Sequence, residues 1–260
     1  MSKERVQKIM AQADLGSRRK CEEIIRQGRV QVNGKVIEVG AQADPAVDVV
    51  IVDGERITLE NRSQLFIVVN KPKGVLSTNK APDGDNRPTI RDLIEVPGHL
   101  FTIGRLDADS EGLMILTNDG EVANKVSHPR YEHTKTYKVT VKGRVTKETI
   151  EKWETGIWLD NSRTAACSVK ILESSKYSTI LRIVMVEGRK RQIRRVATIL
   201  GHPVIKLVRT HIGQLGLGTL RKGAWYQLDD FEIGVMMTPD DELKEIRRKR
   251  RERKKKHKST

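Results

Sequence analysis

A chain of 260 residues with a formal net charge of +15 and 37 % hydrophobic residues is long enough for two cored domains, and its longest apolar run is far too short to cross a bilayer. No apolar leader follows Met1, and the two cysteines, Cys21 and Cys167, lack any second Cys or His at ligand spacing, which argues against a disulfide framework or structural zinc and makes the cytoplasm the expected location. The charge is uneven: Glu242 to Thr260 carries +8 and the rest of the chain +7, so even without its tail the body is basic and expects a polyanion, nucleic acid above all.

Residues 3–14 space Val6, Ile9, Met10 and Ala13 as one helical face. Gly16 breaks that helix, and Ser17 is a good N-cap for a second one with Arg18, Arg19 and Lys20 in its first turn. Cations there oppose the helix dipole, so they ask for an anionic partner; the plainer alternative is a solvated helix end. Val30-Gln31-Val32 alternates like a strand, and Asn33-Gly34 predicts a hairpin returning through Lys35. Strands over 47–52 and 56–59 close this small domain, placed at 1–60, and a polar linker follows at 61–65.

The main body, placed at 66–240, opens on an apolar strand, Phe66 to Val69, which runs into the turn Lys71-Pro72-Lys73-Gly74. Lys71 there is a candidate phosphate contact. A loop over 79–88, a short helix from Pro88 to Ile94 and a strand over 100–103 lead to Gly104-Arg105-Leu106-Asp107-Ala108-Asp109-Ser110-Glu111-Gly112, followed at once by an apolar run. Beyond it the pattern gives helices at 120–127 and 147–155, and strands at 135–141, 165–171 and 177–186. A helix opens in the segment 187–195, and two more strands are expected at 204–212 and 225–235. The fold class is therefore α+β, with a mixed, mainly antiparallel sheet. The basic tail, 241–260, cannot bury a core.

Carboxylates at 107, 109 and 111 ending on Gly112 match the first half of a calcium loop, but the twelfth position is Asn118 and the flanks are strands, not helices. A magnesium nuclease would need further acids, and no other stretch offers a tight pair beside an apolar strand. The histidines show no paired spacing, and no phosphate-cradling glycine loop, G-x-S-x-G elbow or Cys–His pattern appears. What remains is one carboxylate, Asp107, that could act as nucleophile or general base without a metal, against the alternative of a turn whose Asp caps its neighbours.

Two resemblances bear on that choice. Ser17 to Lys20, with Gly28-Arg29-Val30-Gln31-Val32-Asn33-Gly34, resembles the S4 RNA-binding module, which implies that Arg18, Arg19, Lys20, Asn33 and Lys35 face structured RNA. The 104–120 stretch resembles the signature of RNA pseudouridine synthases of the RsuA/RluB type, with Asn70-Lys71-Pro72-x-Gly74, Lys135-Thr136-Tyr137 and Glu187 to Arg195 matching its other motifs in order. Ser110, where the family usually has Thr, and Lys190, often Asn, depart mildly from it. The resemblance implies isomerisation of uridine to pseudouridine in ribosomal RNA or a subunit precursor, without cofactor or metal; the long basic C-terminal extension and the Gly201-His202-Pro203-Val204 turn favour the large subunit over the small, and a monomer is expected. It implies Asp107 as the essential aspartate, Arg194 as its basic partner and Tyr137 as the aromatic on the uracil. Arg105 would fill the gap left by a flipped nucleotide, Leu207 would wall the pocket, and Arg189, Lys190 and Arg191 would hold phosphates. A non-catalytic S4-type ribosome-assembly factor is the rival from another class.

Overall fold

The computed structural model describes residues 3–58, 64–127 and 133–238, together with 246 and 248. Two compact units divide the chain, Met1–Gln64 with Pro97–His99, and Leu65–Val96 with Leu100–Thr260. Most of the expected linker and tail lies outside the described residues.

In the first unit, α1 (Val6–Gln12) and α2 (Arg18–Arg26) stack their apolar faces. The cap at Ser17 forms as expected: its Oγ accepts from the Lys20 amide at 3.2 Å. Behind the helices lies an antiparallel sheet in the order β2-β1-β3-β4, built from β1 (Val30–Val32), β2 (Lys35–Val36), β3 (Val50–Val52) and β4 (Glu55–Arg56). Asn33 takes the positive φ of the hairpin turn, 51°. Val6, Ile9, Ile24, Ile25, Val30 and Val52 share one core, and that burial is what makes so small a unit a domain.

The second unit is a long sheet between two helical layers. Besides two-residue strands at Phe101–Thr102 and Leu215–Gly216 that pair at its side, its strands are β5 (Phe66–Lys71), β6 (Glu111–Thr117), β7 (Lys135–Lys142), β8 (Trp158–Leu159), β9 (Ser162–Arg163), β10 (Ser168–Ser174), β11 (Ser178–Met185), β12 (Val204–Ile212) and β13 (Trp225–Gln227). The short β8–β9 hairpin stands apart, and the rest run in the order β10-β11-β7-β12-β6-β5-β13. Each neighbouring pair on this path is antiparallel except β12 with β6, which pair in parallel through Val208 with Glu111 and Arg209 with Gly112. The period of two along β5 and β6 feeds both layers: Ile67, Val69, Met114 and Leu116 face one core, Phe66, Val68, Leu113 and Ile115 the other. α4 (Lys147–Thr155) and α5 (Gln192–Ile199) supply Trp153, Ile193 and Val196 to the first core. α3 (Gly120–Ser127) and α6 (Asp230–Met237) supply Val126 and Met236 to the second.

Three expectations are corrected. The helix after Pro88 is a single 3₁₀ turn, Ile90–Leu93, closed by a Thr89/Asp92 capping box. The strand expected over 225–235 ends at Gln227, because Asp229 and Glu232 form a second capping box that starts α6. The helix at 187–195 begins only at Gln192, so Arg189 and Lys190 belong to a loop. The β8–β9 hairpin carried no signal in hydrophobic period, since its strands are only two residues each; its turn residues Asp160 and Asn161 both take positive φ.

Candidate active site

The parallel β6–β12 junction is where the site forms. The loop 104–110 enters β6 at its N-terminal end, where Glu111 and Gly112 pair in parallel with Val208 and Arg209 in the middle of β12. The loop is fixed from beneath. Asp107 O accepts from Ser110 N at 3.0 Å, which closes a turn that lifts Asp107 and Asp109 above a buried Ser110. Ser77 Oγ donates to Leu106 O at 2.7 Å and accepts from Leu106 N at 3.1 Å. Gly74 N donates to Ala108 O at 2.7 Å. The turn at 72–74 and the loop therefore hold one another.

Gly112 is a packing requirement. Its φ is +107°, and a Cβ there would lie 2.3 Å from Arg209 O and 2.8 Å from Arg209 N on β12. Backbone cannot give way as a side-chain tip can, so Gly112→Ala is expected to destabilise the unit by at least about 2 kcal/mol. A thermal unfolding midpoint equal to wild type would refute that.

Above the loop lies a cavity of about 840 Å³ lined by Arg105, Leu106, Asp107, Tyr137, Met185, Ile193, Arg194 and Leu207, with Arg189, Lys190 and Arg191 on its wall. The structure thus brings Asp107, Arg105, Tyr137, Arg194 and Leu207 around one space from four separate segments. Tyr137 and Leu207 are buried apolar floor, Arg105 is exposed at the mouth, and the Asp107 side chain is 32 % exposed.

The three acids of the loop do not act as a set. Glu111 turns to Lys222 at 2.9 Å and Lys206 at 3.8 Å. Asp109 takes the Arg191 fork at 3.0 and 2.9 Å and lies 3.3 Å from Arg194 Nε, and the Arg191 hydrogen bonds first of all hold its carboxyl below the usual range. Asp107 has Arg191 at 3.7 Å as its nearest cation. Among the described residues no group of three or more His, Cys, Asp or Glu is arranged to hold a metal ion.

The cations are placed otherwise than expected. Arg194 was to pair with Asp107; its Nη2 instead donates to Asp109 O at 2.8 Å and Ser110 Oγ at 3.2 Å, and it acts on Asp107 only through the field. Burial pulls its pKa down, with Asp109 and Asp107 opposing. Arg191 was to hold phosphate and is committed to Asp109. Arg189 was to do the same, but its guanidinium donates to Leu159 O, Ser162 O, Ser162 Oγ and Arg163 O and so braces the β8–β9 hairpin. Lys190 alone of the three is exposed and unengaged among the described contacts.

Lys71 is a further correction. It is fully buried, donating from Nζ to Val75 O at 2.7 Å, Pro72 O at 3.0 Å and Ala108 O at 3.5 Å, where no RNA phosphate reaches it. Burial lowers its pKa to about 8 against the pull of Asp109, Asp107 and Glu111. In the first unit Arg18, Arg19, Lys20 and Lys35 are exposed, whereas the Asn33 amide is spent on Asp48 Oδ1 at 2.8 Å and Val49 N at 2.9 Å. Sequence reasoning passed over Ser77 and Arg209. Ser77 gave no signal. Arg209 is 2 % exposed with Nε on Leu113 O at 2.7 Å, and it gave no signal either, because its strand also carries Lys206, Thr210 and His211.

Comparison with known proteins agrees with this geometry. Residues 65–198 match the family model for RNA pseudouridylate synthase, and residues 4–47 that of the S4 domain. An RNA pseudouridine synthase of Aquifex aeolicus is 39 % identical over 254 residues, covering 96 % of this chain and 100 % of that one. Ribosomal large subunit pseudouridine synthase B of Bacillus subtilis is 41 % identical over 234 residues, 88 % of this chain and 94 % of that one. A crystal structure of a pseudouridylate synthase superposes with a TM-score of 0.65 at 29 % identity, covering 89 % of this chain and 99 % of that one. An S4 domain, a synthase sheet and a cavity built on the motif loop thus occur in one chain, which belongs to the RNA pseudouridylate synthase family.

Proposed function

We propose that this enzyme isomerises a specific uridine of ribosomal RNA, in the 23S molecule, with Asp107 as the reactive group and no cofactor. The carrying observation is the convergence of Asp107, Tyr137, Leu207 and Arg105 on one 840 Å³ cavity. The reaction breaks the bond from N1 to C1′, joins C5 to C1′, sheds the C5 proton and returns a proton to N1, so it balances without any co-reactant. Asp107 either attacks C1′ or takes a sugar proton to leave a glycal; both need it ionised, and Arg191 and Arg194 supply the fixed positive field. Tyr137 packs on the uracil and helps remove the C5 proton, Leu207 walls the base, and Arg105, exposed at the mouth, fills the stack that a flipped nucleotide leaves. Lys190 and the exposed Arg18, Arg19, Lys20 and Lys35 meet phosphates, with the S4 domain setting register on folded RNA.

The large-subunit assignment rests on the name of the Bacillus relative and on the long basic C-terminal extension. Among the described residues no helix is long and apolar enough to cross a membrane, in keeping with an enzyme working beside ribosomes in the cytoplasm. Transcripts of 23S and 16S rRNA labelled with tritium at uridine C5 test the reading. Tritium release from 23S alone is the expected result; release from 16S alone would overturn the target, and release from neither would return the chain to a binding role.

A further inference from the structure

Arg191 is held in an unusual way. It is a non-glycine residue in the left-handed region, φ 52° and ψ 30°, at the N-cap of α5, and its side chain makes no cap there. Such a backbone is strained for an L-residue and persists only where other contacts repay it. The repaying contact is the two-pronged bond to Asp109, 3.0 and 2.9 Å. Asp107 Oδ2 lies 3.7 Å from the same guanidinium, inside Coulomb reach but outside hydrogen-bond range. Among the described residues no other acceptor engages it. Arg194 also lies 3.3 Å from the Asp109 carboxylate through Nε, but its Nη2 bonds to Asp109 O and Ser110 Oγ do not depend on that side chain and would still hold it in place.

We propose that Asp109 is a positioning residue that keeps Arg191 off Asp107. By taking the guanidinium fork it leaves Asp107 beside a positive charge, yet with its lone pairs free. A carboxylate clasped at both oxygens is a poorer nucleophile and a poorer base than one merely placed in a cation's field. With the Asp109 carboxylate gone, the nearest acceptor for Arg191 is Asp107 itself. The proposal rests on Asp107 being the reactive group.

The test compares full-length wild type, Asp109→Ala, Asp109→Asn, Arg191→Ala and the double variant Asp109→Ala/Arg191→Ala. Each is assayed by single-turnover tritium release from an rRNA transcript that the wild type modifies, with RNA affinity measured by filter binding. In Asp109→Ala the rate is expected to fall about thirtyfold with affinity held within about threefold, a loss confined to the chemical step. The acid limb of its pH–rate profile moves to lower pH, because a guanidinium in contact favours the ionised Asp107. Asp109→Asn keeps one acceptor for the fork and falls between. The double variant removes the intruding arginine, so it is expected to run at least about fivefold faster than Asp109→Ala, with its acid limb moved back up. A double variant no faster than Asp109→Ala overturns the proposal, since a collapsed loop or the mere loss of a charge would not be cured by losing Arg191 too. Failure of the underlying reading shows elsewhere, as turnover by Asp107→Asn.

Discussion

Asp107→Asn is expected to lower isomerisation by more than about a thousandfold while RNA binding stays within about threefold of wild type. Asn matches Asp in shape and keeps an oxygen on the same side of the cavity, but it can neither bond to C1′ as an anion nor accept a proton at working pH. The hydrogen bonds around it do not depend on its charge: the turn closes through Asp107 O, and the Arg191 fork is committed to Asp109. Loss of rate with retained affinity therefore isolates the chemistry, read as tritium release alongside filter binding. Turnover within tenfold of wild type would remove Asp107 from its role. Full activity of wild type in excess EDTA is expected in the same assay, and its loss would revive a metal-dependent reading of the three acids.

Most strands and helices of the second unit, and the loop that precedes β6, were legible in the chain for a physical reason. Phe66 to Lys71 and Glu111 to Thr117 are buried along their whole length, and such strands leave a continuous apolar run that locates the loop feeding them. Gly104 marked the bend that opens the loop, and Gly112 the strand position pressed against β12. What periodicity does not carry is the direction in which a long cation points. Arg189, Arg191 and Arg194 stand within six residues in one basic stretch, yet one braces a hairpin, one takes Asp109 and one holds the loop backbone. Those partners come from residues 109–110 and 159–163, far off in sequence, so the arginines of a charge run read as an RNA face are engaged by the protein itself. Lys71 shows the same limit. A lysine in a Pro-Gly turn looks solvent-facing, and only tertiary closure by the 104–110 loop buries it.

Lys71→Met is expected to cut turnover about a hundredfold with RNA affinity, and the slope of log affinity against log salt, unchanged. Methionine fills a similar volume, but it leaves the carbonyls of Val75, Pro72 and Ala108 without the ammonium that ties the turn at 72–74 to the reactive loop. It also removes the buried cation facing Asp107, Asp109 and Glu111. A phosphate-binding lysine would behave in the opposite way, since losing one phosphate contact reduces the salt slope by about one while chemistry on bound RNA continues. Global stability changes little at neutral pH, because relief of burying an ammonium offsets the lost hydrogen bonds. The difference emerges above pH 8. Burial sets the folded-state pKa of Lys71 near 8, while the unfolded chain keeps that proton until about 10.4. Between those values the unfolded state holds more protons, so this group makes stability rise with pH across the window. Lys135, likewise lowered to about 8 by burial, adds to the rise in both proteins. Urea unfolding from pH 7 to 9.5 should therefore show a steeper gain for wild type than for Lys71→Met, by up to about one proton in slope. Equal slopes would mean that Lys71 titrates as an exposed lysine, and a reduced salt slope would return it to the RNA-facing surface.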